Sequence, residues 1–284
     1  MVINMDNLFK NKKRIVVKVG TSTLAYPTGN FNLRRVEALI RVLSDLKNSG
    51  REIIFVTSGA VAVGRGILSA ASSANTSPVS IAMAEKQAYA AIGQSALMNI
   101  YEQEFAKHNH KVGQILMTRD VIANPERKEN VANTLNTLLS WSIVPIINAN
   151  DSVSIEHLDF DENDTLSAIA AKLCHADLLV ILTDVDGLYD ENPVANPDAK
   201  LLPLVTKITC KMIASAGEKG SELSKGGMLT KLEAASLALE DNIDTVIIKG
   251  ENPDILYDLF ENKAVCTIFT NADVKSCKSN EIWH

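Results

Sequence analysis

An α/β fold built on a mostly parallel sheet is predicted by three observations. Apolar, β-branched runs alternate with helical patterns along the chain, the signature of βαβ units. The polar motifs fall at the carboxyl ends of the predicted strands, where an open parallel sheet binds its ligands. The length of 284 residues, with no sequence repeat and no interdomain linker, suits one fold with two lobes.

The elements follow in order. Residues 15–19 form the first strand, and residues 33–47 an amphipathic helix that stops near Asn48 and Gly50. Residues 53–57 form a second strand that runs into Ser58, Gly59 and Ala60. Residues 69–78 are small and polar and read as a surface loop, followed by a long helix over 81–107. Strands at 114–117 and 144–148 flank a helix near 130–141. Residues 153–160 alternate apolar and polar and read as a hairpin feeding the segment at Asn163. A helix over 166–173 precedes a strongly hydrophobic strand at 177–183, and the turn from Asp184 to Asp190 is rich in loop formers. A helix at 228–240, a strand at 245–249, a helix at 253–261 and a strand at 266–269 complete the alternation. Residues 270–284 are polar and form a short tail.

Bulk properties exclude several classes. The formal net charge of −6 argues against a nucleic-acid surface, and the basic cluster from Lys10 to Arg14 is a short solvated face. No apolar run reaches membrane-span length, and the N-terminus lacks a signal-peptide core. Cys174, Cys210, Cys266 and Cys277 form no C-x-x-C pair, and the five histidines have no ligand spacing with them. Reduced thiols, a cytoplasmic location and no protein metal site are expected.

The chemistry is carried by two lysines set against glycines. Lys18 interrupts an apolar strand just before Gly20, Thr21 and Ser22. An unpaired ammonium in such a strand is costly, so it either snorkels out at the strand end or meets an anion. Lys231 closes the run Lys225-Gly-Gly-Met-Leu-Thr-Lys231, which has the composition of a phosphate-cradling loop opening a helix. Glycine 59 to Arg65 mimics a Walker A loop but lacks its lysine and hydroxyl, and protein-kinase signatures are missing. Asp151, Asn163 and Asp164 either face a small ligand or stabilise turns. Asp184, Asp186 and Asp190 lack the terminal glutamate of a calcium loop and suit a nucleotide edge or a simple turn.

Seven segments then resemble the glutamate 5-kinase family in matching order over residues 12–270. They are Lys18-Val-Gly-Thr-Ser22, Val56-Thr-Ser-Gly-Ala60, Asn148-Ala-Asn-Asp151, Asn163-Asp-Thr-Leu-Ser-Ala168, Leu182-Thr-Asp184, Gly187-Leu-Tyr189 and Gly226-Gly-Met-Leu-Thr-Lys231. These are the amino-acid kinases that open proline biosynthesis. The resemblance implies a three-layer αβα sandwich, with residues 1–269 as one kinase domain. Its N-lobe would bind the amino acid and its C-lobe the nucleotide. It implies that Lys18 and Lys231 stabilise the transferring phosphoryl group while Asp164 orients both. Ser58, Gly59, Ala60, Asp151 and Asn163 would bind glutamate. Lys18, Gly20, Thr183, Asp184, Lys225, Gly226, Gly227, Met228, Leu229, Thr230 and Lys231 would hold ATP, with Mg²⁺ as cofactor. It also implies a dimer or tetramer, feedback inhibition by proline, handoff to glutamyl phosphate reductase, and a form without the PUA domain many relatives carry. The chain departs from the pattern at Ala149, where the family often has Glu. It departs again at Lys225 in place of Thr, and at Glu222-Leu-Ser in place of a glycine-rich approach. The alternatives are a family member acting on N-acetylglutamate or aspartate, and a non-catalytic amino-acid sensor.

Overall fold

The structure, a computed structural model, describes residues 2–4, 8–26, 30–71, 82–153, 162–193, 195–217, 227–271 and 273–275. Backbone pleating explains the layers. In β2 (Arg14–Val19), Ile15, Val17 and Val19 point to one apolar core and Val16 to a second. The same alternation divides β3 (Glu52–Val56), with Ile53 and Phe55 on the first side and Ile54 and Val56 on the other. The first core is covered by α2 (Leu33–Asn48) and α4 (Met83–Ala106). The second is covered by α5 (Pro125–Ser140), α6 (Glu162–Leu173) and α8 (Met228–Leu239). The predicted three-layer αβα sandwich is therefore observed.

One eight-stranded sheet carries both halves of the chain, in the order β4-β5-β3-β2-β6-β8-β9-β7. Here β4 is Val112–Met117, β5 Val144–Ala149, β6 Leu178–Thr183, β7 Leu204–Val205, β8 Asp244–Lys249 and β9 Cys266–Phe269. Neighbours are parallel except β8 and β9, so the last predicted strand departs from the βαβ rule. Lys18, Val56, Ala149 and Thr183 thus lie toward one rim of the sheet, the carboxyl rim.

Local chemistry explains several boundaries. The Asn32 side chain accepts from Arg35 N at 3.1 Å and caps α2. Asn124 caps α5 in the same way, with Pro125 in the first turn, so that helix starts earlier than the predicted residue 130. Helix α3 (Ala60–Ala71) corrects the loop expected from residue 69: residues 69–71 are helical, and residues 72–78 lie outside the described residues. The predicted hairpin at 153–160 is described only at Val153, which lies in a turn. In the expected tail, β10 (Asp273–Lys275) pairs in parallel with β1 (Val2–Asn4). Among the described residues the remaining helices are α1 (Thr21–Leu24), α7 (Cys210–Gly217), α9 (Ile255–Phe260) and a short 3-10 helix (Arg119–Ile122).

Candidate active site

Strand alternation directs Lys18 to the α6–α8 side, next to Val16 and away from Val17. There its Nζ lies 2.6 Å from Asp164 Oδ1. Lys231, in the first turns of α8, places its Nζ 3.1 Å from Asp164 Oδ2. Two lysines 213 positions apart in the chain therefore converge on one carboxylate. All three side chains are nearly sealed from solvent, at 1%, 0% and 6% exposure for Lys18, Asp164 and Lys231. Burial alone would raise the Asp164 pKa; Lys18 and Lys231 overcome that and hold it below the ordinary carboxylate value. Asp164 is thus ionised, and two ammonium groups share its charge.

Asn163 and Asp164 lie in the first turn of α6, so the turn-chemistry alternative is replaced by a helix N-terminus that favours a carboxylate. Thr230 Oγ1 donates to Asp164 Oδ2 at 2.8 Å and also lies 2.9 Å from Gly227 O. The carboxylate is thereby tied to the mouth of α8. Gly227 caps that helix, and a Cβ built on it meets no atom of the described residues within 4 Å. Met228 and Leu229 complete the first turn, while Lys225 and Gly226 lie outside the described residues. A Cβ on Gly20 would stand 3.6 Å from Lys18 Nζ, in ordinary van der Waals contact. At the end of β6, Thr183 is buried and its hydroxyl donates to Asp184 Oδ1 at 3.1 Å.

The second group of residues lines a neighbouring part of the rim. Gly59 has φ +99°, a left-handed conformation that favours glycine, and its missing Cβ would approach Thr21 at 3.8 Å. That turn brings Ser58 and Ala60 beside the loop that follows β2. Ser58 is buried, and its Oγ has no protein partner among the described residues. Ala60, Gln94, Ala149, Asn150 and Asp151 line a cleft of about 510 Å³. Asn163 Oδ1 accepts from Ala149 N at 3.1 Å and joins the end of β5 to α6. Ala149 packs into the second core, so this chain has no carboxylate at that position.

Sequence reasoning missed the buried polar groups contributed by α4. Gln94 Oε1 accepts from Asn148 Nδ2 at 2.8 Å, and Tyr101 Oη lies 2.6 Å from Thr57 Oγ1. Burial pushes the Tyr101 hydroxyl well above its ordinary pKa, so it keeps its proton. Gln94 is the single strongly polar residue in the run Ala90-Ala-Ile-Gly-Gln-Ser-Ala96, the one signal that could have pointed to it. Among the described residues, no cluster of three His, Cys, Asp or Glu could hold a metal ion. No helix among them is long and apolar enough to cross a membrane.

A parallel sheet with paired lysines, an organising aspartate and a glycine-led helix at its rim defines a phosphotransferase of small molecules. The amino acid kinase family model matches residues 13–249, and the chain belongs to that family. Its relatives narrow the class further. A glutamate 5-kinase from Clostridium perfringens is 47% identical over 269 residues, covering 93% of this chain and 98% of that one. A glutamate 5-kinase from Listeria innocua is 47% identical over 94% of this chain and 96% of its own length. The fold is also similar to a crystal structure of UMP kinase from Ureaplasma parvum. That match has a TM-score of 0.60 and 17% identity, covering 92% of this chain and 99% of that chain. An isopentenyl phosphate kinase in a substrate complex matches with a TM-score of 0.59 and 19% identity, covering 90% of this chain and 99% of that chain.

Proposed function

We propose that this chain transfers the γ-phosphoryl group of ATP to the side-chain carboxylate of L-glutamate. The products are L-glutamyl 5-phosphate and ADP, the first step of proline biosynthesis. The observation that carries the reading is the convergence of Lys18 and Lys231 on Asp164. A side-chain carboxylate is already ionised at neutral pH, so the reaction needs no general base. The task is to bring two anions together in line and to neutralise the charge on the phosphoryl oxygens. A carboxylate oxygen attacks the γ-phosphorus, the bond to the β-γ bridging oxygen breaks, and ADP leaves with the electron pair. Lys18 and Lys231 stabilise the oxygens in flight, with Asp164 holding both ammonium groups and Thr230 holding Asp164. Mg²⁺ enters as part of the MgATP substrate.

In this reading the β4-β5-β3-β2 half of the sheet binds glutamate through Ser58, Gly59, Ala60, Asp151 and Asn163. The β6-β8 half binds ATP through Thr183, Asp184 and the 225–231 loop, with Lys18 and Gly20 reaching the nucleotide from the end of β2 at the boundary between the halves. The domain spans residues 1–269, and 270–284 is an appendage. The same reading extends to a cytoplasmic homodimer or homotetramer, inhibition by proline, and prompt handoff of the labile acyl phosphate to glutamyl phosphate reductase. ADP release with MgATP, measured across L-glutamate, N-acetylglutamate and aspartate and with added proline, tests it. Glutamate should be the preferred acceptor. Release that is indifferent to glutamate would overturn the assignment.

A further inference from the structure

We infer that Gln94, on α4, determines acceptor specificity by donating from Nε2 to an anionic oxygen of the amino-acid substrate. The oxygen meant is the one away from the phosphoryl-receiving carboxylate, so the inference rests on the reading of the cleft as an amino-acid site. The backbone sets the direction of the amide. Ala149 N–H can only donate, and it is shared between Asn148 Oδ1 at 2.9 Å and Asn163 Oδ1 at 3.1 Å. Asn148 therefore turns its Nδ2 outward, and Gln94 Oε1 accepts from it at 2.8 Å. With Oε1 engaged by Asn148, the donors of Gln94 on Nε2 are the groups left without a protein partner among the described residues. The residue is 9% exposed, lines the cleft with Asp151, and its Nε2 is buried with no protein partner among the described residues. A buried donor needs an acceptor, because leaving it unmade carries the full desolvation penalty.

Position then selects which oxygen it meets. Asn148 lies at the end of β5, and β3 separates β5 from β2, which carries Lys18. Two strand spacings amount to roughly 10 Å. Lys18 and Gln94 are therefore too far apart to grip the same carboxylate, and Gln94 addresses the opposite end of a substrate that bridges them.

The test titrates L-glutamate at saturating MgATP for wild type, Gln94→Glu and Gln94→Met, with a thermal melt of each. Gln94→Glu keeps an oxygen for Asn148 Nδ2 and the same shape, so a purely structural role leaves its kinetics unchanged. It also replaces the facing donor by an acceptor. The expected result is a glutamate KM raised about 10- to 100-fold in both variants, as for loss of a hydrogen bond to a charged group. The ATP KM should stay within about twofold. If Gln94→Glu melts early, Gln94→Met decides. A folded variant whose glutamate KM stays within about twofold overturns the inference and leaves solvent as the partner of Nε2. Wild-type ADP release indifferent to glutamate instead overturns the phosphotransfer reading. Calorimetric binding of glutamate, weakened or not in Gln94→Glu, then still decides the role of Gln94.

Discussion

The two faces of the sheet handle buried polarity differently. On the α6–α8 face, Lys18, Asp164 and Lys231 bring three full charges together almost out of solvent. On the α3–α4 face, the buried pairs near the strand ends are neutral: Gln94 with Asn148, and Tyr101 with Thr57. The contrast suits the work that the proposed reaction gives each face. Charge shifts on the phosphoryl group during transfer, and fixed charges in a dry site act on it strongly. The rest of the amino acid is held unchanged, and neutral hydrogen bonds can do that without the desolvation cost of further buried ions. The faces also differ in how they are set. Ion pairs position the first, whereas close backbone contact positions the second. A Cβ on Gly93 would lie 1.8 Å from Ala60 O, and one on Gly64 would lie 1.9 Å from Tyr89 O.

Removing the shared carboxylate should break the charged face most severely. Asp164→Ala leaves two buried ammonium groups without it, and breaking such a pair costs about 3–5 kcal/mol. Chemical denaturation should show that loss together with a collapse of kcat. On the other face, Gly93→Ala forces α3 away from α4 and moves the turn that carries Ser58. A stability loss of about 1–3 kcal/mol is expected, with a raised glutamate KM as the kinetic sign. Asp151→Ala should raise the glutamate KM about 10- to 100-fold and leave the ATP KM nearly unchanged. A change confined to the ATP KM would mean that the two halves of the sheet have been assigned in reverse.

Acidity offers a milder probe. The folded pKa of Asp164 lies below its unfolded value, so its contribution to stability is full above about pH 4 and fades as pH falls through the folded value. Unfolding free energies measured from pH 6 down to pH 3 should show this acid component in wild type and lack it in Asp164→Asn. The smallest expected effect concerns the thiols. Burial pushes Cys174 and Cys266 up to about 12 each, whereas Cys210 is exposed. Alkylation at pH 8 followed by mass spectrometry should label Cys210 in the folded protein well before either buried thiol.

The charged face was legible in the sequence because a lysine inside an apolar strand is costly without a partner, and the run from Lys225 to Lys231 has the composition of a phosphate-cradling loop. Their meeting at Asp164 was not visible from spacing and came from the resemblance to a family. The neutral face was harder to read. Gly64 and Gly66 hid α3, since glycine ordinarily weakens a helix; at Gly64 it is required by the crossing with α4. Gln94 stands out in the sequence only as a strongly polar residue in a run of small and apolar ones, and its contact with Asn148 shows why it is there. The antiparallel pairing of β9 depends on tertiary position, which a local pattern of apolar residues does not encode.

Turnover of Lys18→Ala, Lys231→Ala and the double variant probes the shared grip on the phosphoryl group most directly. Each single change should lower kcat roughly 100- to 1000-fold in a protein that still folds. The double change should lose much less than the product of the two, because groups acting on one transition state are not additive. A folded Lys231→Ala enzyme with nearly normal kcat, or strictly multiplicative losses, would contradict it.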